Sequence, residues 1–349
     1  MAKKHVLIST LFVVFLFACG LILETQPVEA KKPVLIRCVL PQPEGDFPIT
    51  HMVQEMAKRF NDRAKGEYVI EVYAGGALAK LPEYFDAVRI GVVEMAFSNW
   101  GTFSFLDPRM GLLETPFLFT NNMSTHAACK PMLPLYDKVL QEKFNAKGIC
   151  ITTSGGLGLF SQKPVTKLED WKGLLVGAVS PFTATLIKDL GGAPVTIVFT
   201  DLYESLQKKI VDGATQSSHG GLVFGLHDIC KHFTAFFGIP AVAGYTINLD
   251  VWKKMPPEIQ QVLVEETQAG ADWLANVLVN ELPKADLEIF EKKGTTVYYL
   301  SPEERAIWAK KLEPFMEAEM SKNGELGQKI RQIAKDVNER FPYSDQGIL

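Results

Sequence analysis

Cysteine is scarce, five in 349 residues. That is too few for the disulfide framework of a small secreted domain, and no pair has the C-x-x-C spacing of a structural zinc site. There are six histidines, and only His219, His227 and His232 fall near one another. Their spacing does not stack on one helix face, so they read as structural or cleft-lining residues rather than metal ligands. No block of Lys and Arg forms a nucleic-acid footprint, and 36 basic against 40 acidic side chains leave a net charge of −4, so nucleic acid is set aside as a partner. The G-x-S-x-G elbow, the phosphate-binding P-loop and the H-E-x-x-H zinc motif are all missing. Gly155-Gly156-Leu157-Gly158 lacks the strand–turn–helix context of a phosphate loop and reads as a turn close to a hinge. Catalysis therefore has little support, and no cofactor is called for.

Long apolar runs are absent too, with one exception. Lys3 and Lys4 precede an apolar stretch from Val6 to Leu23, and Val28-Glu29-Ala30 then presents small residues at the spacing an export peptidase reads. This is the pattern of a secretory signal over residues 1–30, with cleavage expected after Ala30 and a periplasmic product. An uncleaved membrane anchor and lipid attachment at Cys19 are the alternatives.

What the chain does have is ordinary globular composition, 47% hydrophobic and 22% charged with 27 glycines, at a length that one core does not usually fill. Strand-like and helix-like patterns alternate, which indicates α/β architecture. Val34 to Leu40 and Tyr68 to Tyr73 read as strands, and Val92 to Phe97 as a buried strand. Thr50 is placed to cap a helix with Met52, Val53, Met56 and Phe60 on one face. A second block begins near Gly155. There Ser180-Pro181 opens a helix closed by Gly191, Val195 to Phe199 is a strand, and Thr200 caps a helix with Leu202, Leu206 and Ile210 inward. After Pro257 a long helical pattern runs to Leu282, is kinked by Pro283 and resumes to Lys293.

Certain segments carry a resemblance in order. They are Asp170-Trp171-Lys172-Gly173, Leu190-Gly191-Gly192-Ala193-Pro194, Phe199-x-x-x-Tyr203-x-x-Leu206-Gln207 and Val211-Asp212-Gly213. Gly91-Val92-Val93-Glu94-Met95, Glu114-Thr115-Pro116-Phe117-Leu118-Phe119 and Ser161-Gln162-Lys163-Pro164 flank them. Taken together the chain resembles the solute-receptor subunits of tripartite ATP-independent periplasmic (TRAP) transporters, the DctP-type family. The resemblance implies a two-domain periplasmic-binding-protein fold with crossing inter-domain strands and a long bracing helix. Residues 31–153 plus 244–282 would form one domain and 154–243 plus 283–349 the other. It also implies no reaction: a small organic ligand is trapped in the cleft and delivered to the permease subunits in the membrane.

The chain departs from its family where charge is usually found. The arginine that forks onto a ligand carboxylate falls on Gly177 within Leu174-Leu175-Val176-Gly177, and a second arginine of some relatives falls on Leu157. The usual asparagine falls on Gln216. Burying an unpaired carboxylate costs several kcal/mol, so the ligand expected is neutral or weakly polar rather than a simple carboxylate. The candidate wall comprises Trp100, Phe103, Phe182 and Phe199, with Asn99, Thr102, Gln216, Ser218 and His219 offering hydrogen bonds. Two routes to an anion stay open, the helix N-terminus at Ser180-Pro181 or an arginine from elsewhere: Arg37 first, then Arg89 or Arg109. A ligand-presenting sensory receptor of the same fold is the competing function. Cys129 and Cys150 are a candidate pair, Cys38 and Cys230 core residues.

Overall fold

The computed structural model describes residues 32–45, 47–197 and 201–343. The expected leader with Cys19, the candidate wall residue Phe199 and the candidate cap Thr200 lie outside the described residues. The strands are β1 (Val34–Val39), β2 (Tyr68–Tyr73), β3 (Met95–Asn99), β4 (Ala146–Ser161), β5 (Leu175–Ala178), β6 (Ala193–Thr196), β7 (Gly213–Gln216), β8 (His232–Asn248) and β9 (Thr296–Tyr299). The helices that frame the site are α1 (Pro48–Arg63), α2 (Tyr84–Arg89), α3 (Asn122–Phe144), α4 (Pro181–Leu190), α5 (Leu202–Gln207), α6 (Ser218–Val223), α7 (Pro257–Asn276), α8 (Leu282–Lys293) and α9 (Pro302–Lys322).

The nine strands of the described residues join one sheet, in the order β2-β1-β3-β8-β4-β7-β5-β6, with β9 pairing β8 on the same edge as β3 but at the other end. At one end β2, β1 and β3 run parallel, and α1 buries Met52, Val53, Met56 and Phe60 against that end of the core. At the other end β7, β5 and β6 run parallel, with α4 packed beside them through Leu186, Ile187 and Leu190. Between the two lie β4 and β8, antiparallel and far longer than any other strand. One end of β8 pairs with β3 and the other with β9, so these two strands carry the sheet from one half of the molecule to the other. From Val34 onward the body is contact-dense and continuous through them.

The middle of this pair is irregular. Thr153 faces Val242 and Gly156 faces Pro240, with a register shift between the two pairings. Gly155 has φ +106°, and a Cβ on Gly156 would lie 2.0 Å from the Phe237 ring, so glycine is needed at both positions. The Gly155–Gly158 stretch is therefore the bulged centre of a through-running strand, not a turn, because β8 keeps hydrogen-bonding on both sides of it. Phe237 itself has φ +50°. The buried Arg305 of α9 donates to the carbonyls of Phe236, Phe237 and Phe119, and burial pushes its pKa down to about 10.

Several local expectations shift. Thr50 does not cap α1: the helix begins at Pro48, and the Thr50 hydroxyl donates instead to the Pro43 carbonyl at 3.0 Å. The third strand is Met95–Asn99, because Gly91 has φ +74° and the chain is still turning through Val92. Ile210 faces solvent, since α5 ends at Gln207 and Lys209 adopts φ +57°. The interruption expected at Pro283 is a π turn, Val277–Glu281, joining α7 to α8. Cys38, Cys129, Cys150 and Cys230 are all free and buried. The Cys129 thiol donates to the Thr125 carbonyl rather than bonding to Cys150. No helix among the described residues is long and apolar enough to cross a membrane.

Candidate functional site

The parallel strands at both ends of the sheet point their carboxyl ends toward a common cavity of about 510 Å³, as ligand crevices of α/β sheets do. Gln42 follows β1, Asn99 ends β3, Val179 follows β5, Thr196 ends β6 with Ile197 just after it, and Thr215 and Gln216 end β7. The bulged centre of β4 and β8 forms the back, through Ser154, Leu157, Ile239, Pro240 and Ala241. Leu274, Leu278 and Leu282 line it from α7, the π turn and α8, so the long helix and its interruption serve as one wall. The walls are mostly apolar, with Phe47, Phe103, Phe105 and Phe224 supplying rings.

Of the candidates named from sequence, Asn99, Thr102, Gln216 and His219 line this cavity, as do Phe103 and Leu157. Their polar atoms are held in place. Asn99 Oδ1 accepts from the Ser154 hydroxyl at 3.2 Å, and Thr102 Oγ1 donates to the Asn99 carbonyl. Gln216 Oε1 accepts from the Ser217 backbone N–H at 2.9 Å. His219 Nδ1 lies 3.0 Å from Asp286 Oδ1, while the Ser218 hydroxyl donates to Asp286 Oδ2 at 2.8 Å. Asp286, on α8, is 1% exposed.

The other candidates lie elsewhere. Trp100 is fully buried, donating Nε1 to the Gly244 carbonyl at 3.2 Å, because the helical turn after β3 folds its indole onto β8. Phe182 packs edge-on against Phe315 and over Gly111, on the side of α4 that faces the core. Ser218 stands behind His219, engaged with Asp286. Gly177 sits within β5, where a Cβ would meet Leu202 and Ile197 at 3.0 and 3.4 Å. Arg37 is taken by Glu94: its backbone N–H, Nε and Nη2 all donate to that carboxylate at 2.7–2.9 Å. Arg89 pairs with Asp86, and Arg109 with Asp107 and Glu142.

The residue that sequence reasoning missed is Glu114. It lines the cavity from the short helical turn Leu112–Glu114, is 6% exposed, and its Oε2 has no hydrogen-bond partner. Burial pushes its carboxyl up to about 7, opposed only by a hydrogen bond from the Ser180 hydroxyl. This contact also changes the meaning of the Ser180-Pro181 helix start. Ser180 caps α4 by accepting from the Thr183 N–H, and the carboxyl group beside that terminus is the protein's own. The available signal was an acid within the apolar run Leu112-Leu113-Glu114-Thr115-Pro116-Phe117. His219 Nε2 and Gln42 Oε1 are likewise buried without partners. No group of His, Cys, Asp and Glu among the described residues is arranged to hold a metal ion.

Residues 43–323 match the family described as bacterial extracellular solute-binding protein, family 7. The C4-dicarboxylate-binding periplasmic protein DctP of Rhodobacter capsulatus is 25% identical over 269 residues, spanning 75% of this chain and 78% of its own. The C4-dicarboxylate-binding protein DctB of Bacillus subtilis is 24% identical over 308 residues, 83% of this chain and 87% of its own. Among solved structures, a TRAP periplasmic solute-binding protein of Desulfovibrio desulfuricans, with bound sn-glycerol-3-phosphate, superposes with a TM-score of 0.81 at 20% identity. That match covers 89% of this chain and 99% of the other.

Proposed function

The chain belongs to family 7 of the bacterial extracellular solute-binding proteins, the TRAP-type receptors, and from that premise we propose that it captures a small organic solute that is not a simple carboxylate. The cavity at the sheet's carboxyl ends is the binding site, and Asn99, Thr102, Phe103, Gln216 and His219 are ligand contacts. Release is to the membrane permease subunits of a TRAP transporter, and the protein itself performs no reaction. The site of action is the periplasm, reached after cleavage of the leader behind Ala30. The two lobes are residues 31–153 plus 244–282 and residues 154–243 plus 283–349. They close on the solute by bending at the bulged centre of β4 and β8, where the inter-strand register is already broken.

One observation carries the choice of ligand. Lys80 and His219 are the basic residues in the cavity lining, and the three arginines considered as anion partners are each bound to an acid elsewhere. A carboxylate closed into these apolar walls would lack the forked donor that offsets its desolvation. The R. capsulatus and D. desulfuricans relatives bind a dicarboxylate and a phosphate ester, so this reading sets the chain apart from them.

The test is a thermal-shift screen of the purified protein against mono- and dicarboxylates and against uncharged or basic compounds with apolar bodies. A ligand at 100 times its Kd adds about 2.7 kcal/mol and raises Tm visibly. Stabilisation confined to the second group is the expected result; stabilisation by the carboxylates alone would overturn the ligand reading.

A further inference from the structure

The polar atoms that the cavity leaves unsatisfied share one chemical character. Glu114 Oε2 is an acceptor without a partner on a side chain 6% exposed. His219 Nε2 is buried and unpartnered while Nδ1 faces the Asp286 carboxyl. In the tautomer whose Nδ1–H donates to Asp286, Nε2 is an acceptor. Gln42 Oε1 is a third buried atom without a partner. Buried polar atoms are almost always paired in native proteins, so these three atoms are where a bound solute would bring its hydrogen-bond donors. A carboxylate or phosphate supplies none.

Resting on the receptor reading above, we infer that the solute carries a basic nitrogen, and that this nitrogen docks as an N–H donor on Glu114 with the apolar part of the solute against the phenylalanine and leucine walls. The carboxyl is placed for it. Gly101 lies so close that a Cβ there would fall 2.2 Å from Glu114 Cγ, so the side chain is confined to one course along the helical turn after β3. The Ser180 hydroxyl is its hydrogen-bonding neighbour. Lys80 and His219 are the other ionisable groups in the cavity lining. Without a cation beside it, burial holds the Glu114 carboxyl largely protonated below about pH 7. An ammonium group docking there converts it to carboxylate and releases its proton to solvent. Capture is therefore linked to pH, tightening as pH rises from 6 to 8.

The experiment is isothermal titration of the purified protein with matched sets of small compounds, each set a primary or cyclic amine, its alcohol and its carboxylate on the same aryl or alkyl body. The expected result is a preference of at least about tenfold for the amines, a loss of at least about tenfold in Glu114→Gln, and about one proton released per amine at pH 6 in buffers of different ionisation enthalpy. The proton count is made on the unaltered protein, so it stands even where the variant does not fold. Amines that bind the variant as tightly as the parent, or bind without proton release, overturn the inference. If alcohols or carboxylates bind and amines do not, the receptor reading survives and this one falls. If no member of any class binds, the receptor reading itself falls.

Discussion

Glu94 and Glu114 stand twenty residues apart and meet opposite fates. Glu94, just before β3, is partly buried; burial pulls its pKa up, but the guanidinium and backbone N–H of Arg37 outweigh this and hold the carboxyl below its ordinary range. Glu114, in the cavity wall, is buried with a serine hydroxyl and no cation, and its carboxyl rises to about 7. The first acid is complete within the fold and ties β1 to the approach of β3. The second is left incomplete by the fold. A charge that the chain neutralises itself is architecture, and one it leaves without a counter-ion is open to something brought from outside.

Four changes break or sharpen this contrast. The largest effect is expected from Glu114→Gln. Raising an acid from 4.5 to about 7 costs the folded state stability progressively as pH climbs between those values, since the unfolded chain ionises first. At about 1.4 kcal/mol per unit, the neutral isostere should be more stable than the parent by up to about 3 kcal/mol at pH 8 and equal to it near pH 4. Urea unfolding at the two pH values measures the difference, and a variant less stable at pH 8 would contradict the unpaired state of Glu114.

Gly101→Ala comes next. Its methyl would meet Glu114 at 2.2–2.7 Å across three atoms, and overpacking of a buried site costs about 1–3 kcal/mol. Solute binding should weaken with it, because the carboxyl must move; a lowered Tm with unchanged affinity would show that Glu114 does not touch the solute. Arg37→Met should cost about 1 kcal/mol at neutral pH, modest because the Arg37 side chain is 36% exposed. The sign runs opposite to Glu114. A depressed carboxyl contributes stability above its unfolded value and loses it as pH falls through its lowered folded value, so the deficit should shrink below the ordinary carboxylate range and vanish once Glu94 is protonated in the fold. The smallest change belongs to the double variant Arg37→Met/Glu94→Gln, which removes both partners. It should recover most of that loss and leave solute binding unaltered, a null that separates the architectural acid from the open one.

Much of the frame is legible in the residues. The stripe Met52, Val53, Met56, Phe60 finds α1, Ser180-Pro181 with Gly191 bounds α4, and Pro283 marks the break in the long helix. These signals are local, written within one or two turns of chain. What escapes is decided between distant segments. Thr50 looks like a cap until Pro43 offers it a carbonyl, and Gly155-Gly156 looks like a turn until β8 runs past it. In the cavity lining, Asn99 and Gln216 can be placed because strand ends of this fold converge there, and His219 follows in the short helix just after β7. Trp100 and Phe182 cannot, since an aromatic at a cavity's edge and one behind it have the same sequence signature. Glu114 needs both kinds of information, the oddity of an acid in an apolar run and the absence of any cation folded against it.

The pairing of β3 with β8 also governs the order in which the molecule is assembled. Residues 95–99 find their antiparallel partner at 243–247, and β9 at 296–299 pairs with the same edge at the other end of that strand. At a synthesis rate of ~5–20 residues per second, the ~150 residues between β3 and the end of β8 take on the order of ten seconds to appear. Through that interval the early strands have no central sheet to join, and the distant closures make the final step slow even once the chain is whole.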